Sequence, residues 1–123
     1  MKYFAATIIA AIALTGCSVD PQAAATRRAA LVQTVFPNPA DRQGIDLAFP
    51  LESGGIYKTL EVGFFPDEVT ETEVRGRVAS FCARQNSARL TGGVAIKKDL
   101  GINNRTQADG SVRPVHQIFY SCV

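Results

Sequence analysis

The alternation of apolar and polar positions divides this chain into a leading helix, two strands, a longer helix and two further strands. Between Ala23 and Phe36, Leu31, Val32, Val35 and Phe36 fall at helical spacing among helix-forming residues. Pro37 and Pro39 end that run, and residues 37–44 read as a loop. Ile45, Leu47, Phe49 and Leu51 then alternate with Asp46, Ala48 and Pro50, a strand pattern in which Pro50 demands an edge position. Ser53, Gly54 and Gly55 signal a turn, and Leu60, Val62 and Phe64 alternate in a second strand of a hairpin.

The strongest helix signal follows. Thr70 and Glu73 have the spacing of a capping box, with Val69 and Val74 in the hydrophobic staple positions. Val74, Val78, Phe81 and Cys82 form one apolar face, and the helix is expected to end near Asn86. Glu71 with Arg75, and Glu73 with Arg77, are spaced for ion pairs across one turn. Beyond Gly92 and Gly93, Val94, Ile96, Leu100 and Ile102 mark a third strand, and Val112 to Cys122 a fourth. A three-residue loop, Ala108 to Gly110 with Gly110 left-handed, would pair Leu100 with Ile118, Ile102 with His116 and Ile96 with Cys122, gathering the apolar residues on one face. The expected fold is α+β: a short N-terminal helix, then ββαββ, with a small, mainly antiparallel sheet packed on one main helix.

The first residues carry a different pattern. Lys2 is followed by an apolar run from Phe4 to Leu14, too short to span a bilayer, and then by Leu14-Thr15-Gly16-Cys17. These four residues resemble the lipobox of bacterial lipoproteins at every position. The resemblance implies that the Cys17 sulfur takes a diacylglyceryl group. It also implies cleavage between Gly16 and Cys17, and acylation of the new amine by a chain such as palmitate. Residues 1–16 would then be a cleaved signal, 17–22 a lipidated tether and 23–123 one periplasmic domain. At about 0.8 kcal/mol per buried CH₂, two or three chains hold a protein stably on a membrane. Ser18 in place of Asp after the cysteine favours the outer membrane, at its periplasmic face.

Charge narrows the partners. From Cys17 to Val123 the chain carries 12 basic and 11 acidic residues, which gives no electrostatic case for nucleic acid. The halves differ: Cys17 to Val69 has four basic and seven acidic residues, and Thr70 to Val123 has eight and four. Arg75, Arg77, Arg84 and Arg89 cluster on the main helix or just beyond it. Arg77 and Arg84, seven apart, project similarly, as a face for an anionic glycan or lipid would require.

Cys82 and Cys122 remain after the lipobox cysteine. An exported chain meets an oxidising compartment, so a disulfide between them is the economical reading. A redox pair or zinc site lacks the required spacing, and no cofactor is expected beyond the lipid on Cys17. His116, the only histidine, could act as a general base beside Ser121, Tyr120 or an acidic residue. The sequence shows no nucleophile elbow, paired carboxylates or phosphate loop, and Glu61 reads as an exposed strand charge. Phe65, Val115 and Phe119 fall on the sheet face opposite the main helix, where the 23–36 helix is expected to cover them.

Three functions remain open on these residues. The first is a non-catalytic envelope lipoprotein making protein or envelope-polymer contacts, such as an accessory subunit of an outer-membrane assembly. The others are an anion-binding module and a small hydrolase. The leader generates one direct expectation: intact-mass analysis of the native product finds a chain beginning at Cys17 and carrying acyl groups. A product still bearing residues 1–16 would refute it.

Overall fold

The computed structural model describes residues 20–85 and 90–123. The leader, the lipobox with Gly16 and Cys17, Ser18, Asn86 and Arg89 lie outside the described residues. The elements are α1 (Pro21–Val35), α2 (Pro39–Arg42), β1 (Ile45–Ser53), β2 (Ile56–Phe64), α3 (Glu71–Arg84), β3 (Val94–Thr106) and β4 (Val112–Cys122). The four strands form one antiparallel sheet in the order β1-β2-β4-β3. The last strand is therefore central, and Pro50 lies in an edge strand, where its missing N–H costs no ladder bond.

Local chemistry sets the helix starts. Asp20 caps α1 by accepting from the Gln22 amide at 3.1 Å, and Pro21 occupies the first helical position. The helix thus begins inside the stretch expected to be tether. Asn38 and Pro39 do the same for α2, a four-residue helix within the expected loop. Thr70 caps α3 through the Glu73 amide at 3.2 Å, with Val69 and Val74 buried as the staple requires.

The two hairpins turn where the sequence places them. Gly54 and Gly55 both have positive φ, +63° and +85°, as a two-residue turn between right-twisted strands demands. In the β3–β4 hairpin the Gln107 amide donates to the Ser111 carbonyl at 2.7 Å around Ala108, Asp109 and Gly110, with Gly110 at +86°. Ile102 accordingly faces His116. Two irregularities farther along β3 then change the partners. Asp99 rather than Leu100 meets Ile118, and Val94 rather than Ile96 meets Cys122.

The core lies between one sheet face and both long helices. Val74, Val78, Phe81 and Cys82 of α3, with Val32 and Val35 of α1 and the adjoining Phe36, pack on Ala48, Leu60, Val62, Ile118, Tyr120 and Cys122. Cys82 and Cys122 form a disulfide with Cα atoms 5.4 Å apart. It spans 40 residues of sequence, a loop whose closure contributes about 4 kcal/mol by the chain-entropy argument. It fixes the last turn of α3 to the end of the central strand.

Two expectations are corrected here. First, α1 does not cover the second sheet face; it lies beside α3 on the first, because its apolar stripe is continuous with the same core. Second, β1 presents the opposite parity. An irregularity between Ile45 and Leu47 breaks the alternation, so Ile45 packs against the core while Leu47, Phe49 and Leu51 turn away and Asp46 and Ala48 are buried.

One position in α3 is improvable. A methyl group at exposed Gly76 would meet nothing within 4 Å beyond the helix's own backbone and its chain neighbours. Gly76→Ala should therefore stabilise the domain by about 0.5–1 kcal/mol. Denaturant unfolding at unchanged m-value checks this, and a destabilised variant would contradict it.

Candidate docking face

The sheet face away from the helices carries two cross-strand rows and a string of apolar residues on β1. On β1, Leu47 is half-buried, while Phe49 and Leu51 are 41% and 38% exposed. Phe49 pairs with Glu61 of β2, Glu61 with Phe119 of β4, and Phe119 with Lys98 of β3, so one row crosses all four strands. The next row holds Leu51, Thr59, Ser121 and Ala95. Leu51, Thr59, Phe119, Lys97 and Lys98 line a shallow groove of about 240 Å³.

Strand pairing places the half-buried Glu61 between two aromatic residues, where the sequence alone suggested an exposed strand charge. Among the described residues neither Glu61 nor Lys97 nor Lys98 has an ion-pair partner. Charge between apolar groups is poorly hydrated, which raises the value of an opposite charge brought to it. The apolar trio expected here is mostly closed. Val115 is buried, and Phe65 lies beneath the Arg113 guanidinium, 3.7 Å from its ring centre. Arg113 is held in turn by Asp67 and Glu68. Phe119 alone of the three contributes to the open groove.

The other candidate residues are placed elsewhere. Arg77 and Arg84 do project toward one side of α3, but toward the ends of α1 and α2: Arg77 is half-buried and Arg84 remains exposed. Arg77 donates through Nη1 to the carbonyls of Asp41 and Gln43 at 2.9 and 2.7 Å, and Arg84 to the Val35 carbonyl at 2.6 Å. These are acceptors that the ends of α1 and α2 leave free, so both guanidinium groups serve as helix C-caps. Arg75 binds Glu71 with two nitrogens.

His116 pairs with Asp99 through Nε2 at 2.8 Å, with its ring against Phe64 at 5.1 Å between centres. Ser121 is on the opposite face of β4. Tyr120 gives its hydroxyl to Glu71 at 3.1 Å, and burial, with that carboxylate beside it, pushes the phenol well above its usual range. The geometry assembles a histidine–carboxylate pair on a sheet surface without bringing Ser121 or a free Tyr120 hydroxyl to it. Among the described residues no three His, Cys, Asp or Glu side chains converge to hold a metal.

The described residues together form a small disulfide-linked α+β module with both long helices on one sheet face. No family model, no curated protein and no solved structure matches the chain.

The Asp99 pair has a testable electrostatic signature. The Gly101 amide at 2.8 Å, and then the His116 ring, hold the Asp99 carboxyl below the usual carboxylate range. A depressed folded pKa contributes stability above the unfolded value of about 3.9, and that contribution is lost as pH falls through the lower folded value. NMR titration should place the Asp99 midpoint below that of a free aspartate. His116→Ala should raise the midpoint only in part, because the amide, the larger cause, remains. A midpoint unmoved by the substitution would show that the ring does not share the carboxylate.

Proposed function

We propose that this protein is a lipid-anchored envelope module that docks a partner protein through its open sheet face. The anchor rests on the resemblance of Leu14-Thr15-Gly16-Cys17 to the lipobox. The outer membrane, at its periplasmic face, is the location that Ser18 favours. The docking role rests on one observation: Glu61, between Phe49 and Phe119 on one face of a four-strand sheet, has no ion-pair partner among the described residues.

The chemistry of that face specifies its partner. Leu47, Phe49, Leu51 and Phe119 supply the apolar and aromatic centre typical of protein interfaces, with Lys97 and Lys98 at the β3 side. A complementary protein surface presents apolar side chains around a basic group for Glu61, and acidic groups toward the lysines. The accessory role is non-catalytic on this reading. The His116–Asp99 pair and the capping arginines act within the fold.

Photocrosslinking in cells tests the proposal. A crosslinking residue at Ser121 on the open face should capture one predominant protein, whereas one at exposed Ser80 on the back of α3 should not. Purified with that protein, Glu61→Arg should weaken binding by about tenfold or more, since reversing a desolvated charge costs at least 1.5 kcal/mol. Equal capture from both positions, or unaltered affinity of the charge-reversed variant, would remove the open face as the docking surface.

A further inference from the structure

We propose that a cleft between α1, α2 and the start of β1 is a seat for a phosphate oxyanion. A cavity of about 330 Å³ is lined by Arg28, Val32, Arg42, Asp46, Phe65 and Gln107, among others. Its charge is unbalanced. Asp46, only 8% exposed, is approached by Arg28 at 3.6 Å and by Arg105, while Arg42 of the same wall has no carboxylate partner among the described residues. Arg28 and Arg105 thus share one carboxylate, and Arg42 adds a positive charge to the cavity wall that no carboxylate balances among the described residues.

Hydrogen bonding carries the inference further. The Nε atoms of Arg28 and Arg42, two residues of this wall, are buried without an aligned acceptor; Arg105 Nε, outside the wall, and Asp46 Oδ2 form a close ion pair but no aligned hydrogen bond. The ion pairs are close in distance but off the hydrogen-bond direction. Arg28 spends one Nη on the Thr106 carbonyl and Arg42 one on the Pro37 carbonyl, at 3.3 and 3.5 Å. Buried N–H donors facing a cavity are costly unless an acceptor enters. A tetrahedral oxyanion offers several acceptors at once, and guanidinium forks match phosphate geometry better than any other side chain does. The apolar floor of Val32 and Phe65 raises the strength of such contacts by excluding water.

The source of the phosphate is set by position. Arg28 is two helical turns from Asp20, about 12 Å along the axis. Cys17 is three residues before Asp20, which limits that separation to about 11 Å. On the lipid-anchor reading this end of the domain lies within reach of headgroups, so a phospholipid diester and a free phosphate are both candidates. The seat itself does not depend on the anchor.

The test follows the arginine Nε–H signals of the full chain in detergent by NMR, with inorganic phosphate and, separately, short-chain phosphatidylglycerol. Saturable shifts at Arg28 and Arg42, with Arg75 unmoved, are expected. A response to the lipid alone assigns the headgroup as source, a response to phosphate alone assigns the free ion, and a response to both establishes the shared chemistry. Arg42→Gln, at a solvent-facing helix, should weaken binding by about tenfold, the loss of one charge-assisted hydrogen bond. An unchanged thermal midpoint for that variant excludes misfolding. No saturable shift with either probe, or undiminished binding by Arg42→Gln, would overturn the seat. Because inorganic phosphate needs no acyl chain, its outcome is separate from that of the intact-mass measurement on Cys17.

Discussion

The contact between one face of α3 and the central strands β2 and β4 is what the remaining structure depends on. Val74, Val78, Phe81 and Cys82 meet Leu60, Val62, Ile118, Tyr120 and Cys122 there, and the disulfide makes the contact covalent at its end. A domain of this size has one modest core. Once α3 occupies the middle of the sheet, the stripe of α1 can join that core only by lying alongside it over β1. Arg77 and Arg84 then fall opposite the ends of the two smaller helices, where carbonyls without helical partners wait. The arginines that looked like a ligand face in the sequence are thus part of the fit between helices.

The same arrangement leaves the second sheet face without a covering element among the described residues. Both long helices are spent on one side, so Leu47, Phe49, Leu51 and Phe119 meet solvent. A soluble sheet can tolerate one wet face, but such faces are ordinarily polar. Here an apolar set surrounds an unpaired carboxylate, and that combination is the basis for proposing a protein partner. The phosphate seat proposed beneath α1 lies at the opposite extreme: positive charge in excess and arginine donors buried without aligned acceptors. The two surfaces are chemically distinct and need not compete.

Much of the fold was legible because its signals are local. The Thr70 cap, the staple around it, the glycine pair at 54–55 and the loop closed by Gly110 each depend on a few adjacent residues, and each appears in the structure where the sequence puts it. The Cys82–Cys122 link was legible for a related reason: both residues fall on the apolar face of their own element. The candidate surface was read less well. Phe119 falls on the expected face, but Leu47, Phe49 and Leu51 do not, because one irregularity between Ile45 and Leu47 reverses strand parity, and the neighbouring Gly44 reads in the sequence only as the end of a loop. Glu61 gave no signal, since its significance comes from neighbours 12 and 58 positions away in the chain.

The sequence by itself determined the order of the main helices and strands, the cap of α3, which residues turn the two hairpins, which two cysteines could meet and which four residues resemble a lipobox. These follow from periods of 3.6 and 2.0 and from caps and turns, all properties of short segments. Only the tertiary structure decided that both helices share one sheet face, that β4 is central, that Arg77 and Arg84 reach carbonyls at the ends of the smaller helices and that Arg42 lines a cavity without a carboxylate partner of its own among the described residues. Each of those depends on how separate apolar stripes compete for a single core, and that competition is resolved by packing across the whole chain rather than within any segment.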